Sequence, residues 1–580
     1  AVLVHRTSAS GLGIAAAMDH QVTCEGRTDT TCVVNDDTAT MTATTVLQAG
    51  QTLRIVKFLA YGWSSRRSRQ ALRDQAVAAL TAATHTGWDG LLEEQRAYLD
   101  AFWDRADLEI DGDPPLQQAV RFAMFHTLQA GARAERRPIA AKGLTGDGYE
   151  GHAFWDTEQF VLPMLTYTVP KAAADELRWR HSTLPLARAR ADALKLDGAS
   201  FPWRTINGEE GSGYWPAGTA GFHVNADIAD AVVRYVDATE DHDFERHVGV
   251  ELLIETARLW KSLGHFDRDG LFRIDGVTGP DEYSAVADNN VFTNLLAQHN
   301  LHSAAEAASR HVERAVELGV TDEETATWRA AAAAMFVPFD DRIGVHPQAE
   351  GFTDHQPWDF SATTDAQYPL MLHFPYFDLY RKQVVKQADL VLAMQLRPDA
   401  FDDEQKRRNF AYYERLTVRD SSLSAVTQAV MAAEVGHLDL AYDYLCEAAF
   451  IDLGDLHHNT QNGLHLASLA GSWTGLVHGF GGLRVADGEL RFAPRLPEDL
   501  NGLVLRLVYR GRQVRLEFGH HEATYHLDEG EPLTISHHGE ALLVEPGRPA
   551  TRPIPAETVG PRPTQPQGRE PLAHRSRRTG

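Results

Sequence analysis

Thr278-Gly279-Pro280-Asp281-Glu282-Tyr283 lies between two signals of different kinds. Before it runs Leu271-Phe272-Arg273-Ile274, short and strand-like. After it comes Asp288-Asn289-Asn290, an N-cap cluster for a helix that carries Phe292, Leu295 and Leu296. Gly279 and Pro280 stiffen the turn and hold the two carboxylates on a rigid loop. A fixed loop carboxyl is what general acid chemistry needs, whereas the same residues taken alone read as a solvated polar turn. The loop feeds a helix, and that unit recurs on both sides of it.

Outward from the loop the hydrophobic period is 3.6. Leu116, Val120, Ala123, Met124 and Thr127 share one face; so do Ile228, Val232, Tyr235 and Val236, and Leu252, Thr256, Leu259 and Trp260. Val312, Ala315 and Val316 make a further stripe, as do Leu438, Ala441, Tyr442 and Leu445, and Thr321-Asp322-Glu323-Glu324 reads as a capping box before Trp328. Residues 111–482 therefore read as helices of ordinary length joined by long loops, with almost no strand signal. No short repeat of the solenoid kind is present, so the pattern predicts a mainly α toroid of helical hairpins with its loops gathered at one mouth.

The flanks differ. Residues 1–63 are strand-rich: Leu53, Ile55, Lys57 and Leu59 alternate with Arg54, Val56, Phe58 and Ala60. They are too few to close a sandwich, and the chain opens without Met, so part of an N-terminal sandwich is expected to be missing. Residues 64–110 read as a helical linker. Alternation returns in 483–546, where Leu503, Leu505 and Leu507, then Val514, Leu516 and Phe518, predict a small β-sheet domain. Residues 547–580, rich in Pro, Arg and Gly, are expected to be disordered.

With 80 acidic against 55 basic residues and a net charge of −25, the 580-residue chain is a poor match for a nucleic-acid surface. Nothing is apolar for long enough to span a bilayer. Cys24, Cys32 and Cys446 make no disulfide framework; Cys24 and Cys32 could pair across a hairpin, but the pattern points rather to free thiols and a cytoplasmic setting. The pairs His457-His458, His520-His521 and His537-His538 lack metal-ligand spacing, so no metal is expected.

Several loops carry chemistry. In His152-Ala153-Phe154-Trp155-Asp156-Thr157-Glu158 an indole offers a flat face for a sugar ring, and Asp156 accepts from its hydroxyls; the plainer readings are helix packing for Trp155 and an N-cap for Asp156. Lys386-Gln387 can serve an anion or sugar hydroxyls, or be a surface pair at a helix start. Ser421-Ser422 at a helix start offers hydroxyls and free N–H groups to an anion, or a plain cap. His465 lies in a small-residue run through Trp473 that otherwise reads as close helix packing.

Taken in order, these stretches resemble glycoside hydrolase family 65, the inverting α-glucoside phosphorylases and their hydrolase cousins. The matching residues are Gly146-Asp147-Gly148-Tyr149 with Phe154–Glu158, His223-Val224-Asn225-Ala226-Asp227, Gly279–Tyr283, Lys386–Asp389, Ser421–Ser424, and Gly463-Leu464-His465 through Gly481-Gly482. The resemblance implies a large N-terminal β-sandwich, a helical linker, an (α/α)6 barrel and a small C-terminal β-sheet domain. It implies that Glu282 is the general acid, that Trp155, Asp156, Lys386 and Gln387 hold the glucosyl unit, and that Ser421, Ser422 and His465 border phosphate. The family's longer N-terminal sandwich usually lends a loop to the acceptor pocket, so its shortness here leaves the acceptor sugar undetermined.

An inverting hydrolase needs an acid and a second carboxylate as base, whereas phosphate is already an anionic nucleophile. Residues 459–486 contain no Asp or Glu, but do contain His465, Ser468 and Ser472. The sequence therefore favours reversible phosphorolysis of an α-glucosyl disaccharide, with inorganic phosphate as co-substrate and no cofactor. Disaccharide and phosphate are then the partners, and a homodimer is compatible with this reading. The alternatives are a trehalase-like inverting hydrolase using a carboxylate such as Glu414, and a carbohydrate-binding protein without turnover.

Overall fold

A computed structural model describes the chain except for residues 9–10, 133–135, 487, 557–558 and 572–580. The chain divides into two units, residues 1–104 and 105–580.

In the first unit three antiparallel strands lie in the order Val2–Arg6, Gly13–Cys24, Leu53–Ser64, with Ala15 opposite Gly62 and Val22 opposite Ile55. The helix Arg69–Ala106 follows, broken at Gly87, whose φ of 75° no helical residue adopts. Ala15, Ala17 and Phe58 pack with Leu72, Ala76 and Leu80 of that helix. The face of Leu53–Ser64 that points inward is the one with Val56, Phe58 and Ala60; Ile55 and Leu59, apolar as they are, stand on the other face, 44% and 50% exposed.

The second unit holds an (α/α)6 barrel. Neighbouring helices pair along the chain: Val250–Leu263 and Asp322–Ala333 lie against Val291–Arg310, and Ser424–Glu434 lies against Leu438–Phe450. The ring closes where Leu466–Thr474 packs on Pro114–Ala132, the last long helix against the first. Trp260, Trp328 and Trp473 are wholly buried, and Trp260 Nε1 donates to Asn300 Oδ1 at 2.9 Å so that its polar edge is satisfied. The expected cap at Thr321 is present: its Oγ1 accepts from Glu324 N at 3.1 Å. Glu324 does not complete the box, because Arg258 Nε takes its carboxylate at 2.7 Å.

Two sheets follow the barrel. One is ordered Arg484–Ala486, Glu489–Phe492, Leu533–His537, Glu540–Val544; the other Ala550–Pro553, Glu522–Glu529, Arg512–Phe518, Gly502–Tyr509, Glu109–Asp111. Leu503, Leu505 and Leu507 point inward and alternate with half-buried partners, as the period of two requires. The edge strand Glu109–Asp111 precedes the barrel yet pairs with Gly502–Tyr509, Ile110 opposite Leu503. No local pattern could show that pairing.

The expectation of disorder over 547–580 is corrected for the described residues 547–556 and 559–571; residues 557–558 and 572–580 lie outside the described residues. Ala550–Pro553 pairs with Glu522–Glu529, and beyond it Pro563, Pro566 and Pro571 are buried while Gln565 and Arg569 make hydrogen bonds to the barrel. Composition counts few large apolar groups there, but proline rings and two long polar side chains suffice to dock the segment. Among the described residues no helix is long and apolar enough to cross a membrane.

Candidate active site

The carboxylate loop is held from behind. Asp281 is buried, and its oxygens accept from Lys386 N at 2.8 Å, Gln348 Nε2 at 2.8 Å and Tyr283 N at 3.2 Å. Its own N–H donates to Asp389 Oδ1 at 2.5 Å. Asp389 Oδ2 accepts from Asn290 Nδ2 at 2.6 Å, and Asn290 caps the helix Val291–Arg310 by accepting from Thr293 N at 2.9 Å. A Cβ on Gly279 would lie 2.2 Å from Asp389 Oδ2, so glycine is required there by close approach. Burial pushes the Asp281 carboxyl up to about 6 and the Asp389 carboxyl well above its ordinary range. The sequence marked the N-cap cluster but not Asp281 or Asp389 as supports.

Held in this way, Glu282 faces Lys386, and their side chains form an ion pair. Burial weakens the Lys386 ammonium, but the Glu282 carboxylate outweighs it and leaves the lysine pKa raised. Tyr214 donates to the Glu282 carbonyl at 3.1 Å and pairs with the Tyr380 hydroxyl at 2.7 Å. Gln387 spans to the next element: Nε2 donates to Pro280 O at 2.5 Å, and Oε1 accepts from Ser421 Oγ at 2.6 Å.

Trp155 is buried, its ring edge-on to His223 at 5.1 Å. Asp156 directly precedes a π-helical turn, Thr157–Val161, and makes no side-chain cap bond to it. That removes the N-cap reading. Burial first, then Glu282 and Glu158, raise the Asp156 pKa to about 7, with Lys386 opposing.

Ser421 and Ser422 do not begin a helix, as the sequence suggested. The helix is Ser424–Glu434, and the two serines occupy the turn before it. Ser421 Oγ closes that turn by accepting from Leu423 N at 3.2 Å. His465 precedes Leu466–Thr474, and Asp452 orients it: Oδ1 lies 2.7 Å from Nδ1, and Oδ2 accepts from His465 N at 2.8 Å. Asp452 was not singled out in the sequence; it lies in the same connection between helices as His465, 13 positions before it.

One cavity of about 210 Å³ is lined by all eight residues marked in the sequence, Trp155, Asp156, Glu282, Lys386, Gln387, Ser421, Ser422 and His465. Tyr149, Phe154, Trp203, Asp420, His457 and Asn459 also line it, with Ala141 and Leu423. Phe154 and Trp203 meet edge to face at 5.2 Å. The carboxylates on the wall are Asp156, Glu282 and Asp420. Glu414 is buried instead among Gln428, Tyr444 and Gln565, at 2.6, 2.7 and 2.8 Å. Among the described residues no group of three or more His, Cys, Asp or Glu is arranged to hold a metal ion.

Aromatic rings, one ion-paired carboxylate on a rigid loop and a hydroxyl- and imidazole-bearing wall are chemically suited to hold a sugar. Comparison with known proteins makes this specific. The models of the glycosyl hydrolase family 65 N-terminal, central catalytic and C-terminal domains match residues 1–102, 121–474 and 483–544, and the chain belongs to that family. An uncharacterized glycosyl hydrolase of Mycobacterium tuberculosis is 58% identical over 99% of this chain and 73% of its own length. An alpha,alpha-trehalose phosphorylase of Thermoanaerobacter brockii is 38% identical over 94% of this chain and 72% of its own. A solved structure described as a kojibiose phosphorylase from the human microbiome superposes with a TM-score of 0.87 at 26% identity, covering 95% of this chain and 74% of that one.

Proposed function

We propose that the protein phosphorolyses an α-glucosyl disaccharide reversibly and with inversion, giving β-glucose 1-phosphate and a free sugar. The glucosyl ring lies against Trp155, with Asp156, Lys386 and Gln387 taking its hydroxyls. Glu282 protonates the glycosidic oxygen as the bond to the anomeric carbon breaks. A phosphate oxygen attacks that carbon from the other face of the ring, so the proton leaves with the acceptor sugar and the new bond is carbon to phosphate oxygen. Ser421, Ser422 and His465 hold the phosphate. No cofactor is called for by this chemistry.

The observation that carries the reading is the make-up of the cavity wall. Beside Glu282 and the sugar-side Asp156, its remaining carboxylate is Asp420, which already accepts from Tyr283 Oη at 2.6 Å, Leu370 N at 2.7 Å and Arg569 Nη2 at 3.2 Å. Burial raises its affinity for a proton, but both of its oxygens are already held by donors, which leaves it badly placed to take one from water. Glu414, the base of the hydrolase alternative, is enclosed away from the wall. Among curated relatives, alpha,alpha-trehalose phosphorylases reach 45% identity against 35% for a kojibiose phosphorylase and 32% for a maltose phosphorylase, which makes trehalose the first substrate to try.

The test is a disaccharide panel of trehalose, maltose, kojibiose and nigerose, with and without phosphate, with products separated and the anomer of any sugar phosphate assigned by NMR. Phosphate-dependent release with β-glucose 1-phosphate is the expected result. Equal glucose release in phosphate-free buffer would assign hydrolysis. Binding of a disaccharide with no product under either condition would assign a binding protein.

A further inference from the structure

Past the C-terminal family domain, which ends at residue 544, the chain returns to the barrel mouth. Gln565 Nε2 donates to Glu414 at 2.8 Å, Arg569 Nε donates to Val418 O at 2.6 Å, and Arg419 donates to the Arg569 carbonyl. The Arg569 guanidinium lies 4.5 Å from the centre of the Tyr368 ring. Pro563 and Pro566, three residues apart as in a polyproline II turn, are both buried. Gly568 takes a φ of 75°, and a Cβ there would come 3.1 Å from Asp365 Oδ1.

These contacts converge on a residue of the cavity. Asp420 lines it and directly precedes Ser421, and its side chain is 1% exposed. Tyr283 and Leu370 hold Oδ2, and Arg569 holds Oδ1. Its chain neighbour Arg419 points elsewhere, to Glu447 at 3.2 Å. A buried carboxylate beside a phosphate dianion repels it unless a cation is placed on the carboxylate's far side. Burial raises the Asp420 pKa above its ordinary value, while Tyr283, Leu370 and then Arg569 act against the shift.

Resting on the phosphorolysis reading, we infer that Arg569 is a positioning residue for phosphate, acting by neutralising and orienting Asp420 behind the Ser421-Ser422 turn. The segment that bears it, outside the three family domains, is thus a working part of the site.

Initial rates of the full chain, wild type against Arg569→Gln, Arg569→Lys, Asp420→Asn and the Asp420→Asn/Arg569→Gln pair, test this with phosphate and disaccharide varied separately. Arg569→Gln is expected to raise the KM for phosphate about tenfold, the scale of losing one hydrogen bond between charged groups, and to move the disaccharide KM less than about twofold. Arg569→Lys should restore most of the phosphate affinity, because it keeps the charge. In the Asp420→Asn background the second substitution should no longer change the phosphate KM. If both KM values move together, or neither moves, or the Arg569 effect persists without the Asp420 charge, the inference is overturned while phosphorolysis stands. Should Arg569→Gln fail to fold, the Arg569→Lys enzyme decides, since a purely structural arginine would leave it with equal losses for both substrates. Phosphate-independent release by the wild type would overturn both readings, and would be seen before any variant is made.

Discussion

At the residue scale the proposed chemistry turns on Glu282 and Asp156, which share Lys386 as a neighbour. Glu282→Gln keeps the size of the side chain and removes its proton. Turnover should fall by about a hundredfold to ten-thousandfold in both directions, the usual contribution of a placed general acid, while glucose still binds. Near-normal rates from this variant would remove Glu282 from the role. Asp156 gives a stability prediction. Its carboxyl, ordinarily near 3.8, is raised to about 7 by burial and by the charges of Glu282 and Glu158. The folded chain holds that proton more tightly than the unfolded chain does. Its contribution to stability is therefore complete below 3.8 and disappears as pH rises through about 7. Asp156→Asn should flatten the decline in melting temperature across that window; an unchanged slope would mean that other groups set it.

Single elements explain why these side chains stand where they do. The Thr278–Tyr283 loop is fixed by a helix cap, Asn290, working through Asp389. Gly279→Ala pushes a methyl group into that buried pair. Overpacking of this kind costs about 1–3 kcal/mol, so both melting temperature and turnover should drop, and circular dichroism beside an activity assay would show whether they do. The turn Ser421-Ser422 and the pair His465–Asp452 belong to two other loops. Replacing Ser422 and His465 by Ala should raise the phosphate KM about tenfold to a hundredfold with little effect on the disaccharide KM. A lower melting temperature with an unchanged phosphate KM would reduce both to packing residues. Some stripes seen in the sequence lie at the surface: Val312 and Val316 of the short helix Val312–Glu317 are 61% and 67% exposed, and Ala315 alone of the three is buried. Period identifies a helix; it does not say whether a neighbour arrives to cover the apolar face.

For the whole molecule, the barrel and the C-terminal sheets belong to one compact unit, tied by chain segments far apart in sequence. Glu109–Asp111 completes the sheet of Gly502–Tyr509, Arg510 N donates to Ala238 O at 2.7 Å at the end of the helix His223–Thr239, and Gln513 Nε2 donates to Arg105 O at 2.6 Å. A chain ended at residue 482 loses all three ties and leaves a strand edge unpaired. It should melt at a lower temperature and aggregate, as a thermal scan with light scattering would report. A melt that matches the full chain would show that the barrel folds alone.

Much of this was legible in the residues themselves, because it depends on near neighbours. The 3.6 period marked the helical body, the period of two marked Leu503–Leu507, and Asn290 and Thr321 were recognisable as caps because a cap acts within three residues. The family resemblance carried by the six loop motifs implied eight site residues, and all eight line one cavity. What the tertiary structure decided are contacts without a local signature. Asp389 reaches Asp281 across 108 positions, Arg569 reaches Asp420 across 149, and the first and last barrel helices meet to close the ring. A carboxylate that supports a loop and one that lies idle on the surface are the same letter in the chain. They are told apart by what burial and a distant hydrogen-bond donor do to them, and only folding brings that donor within reach.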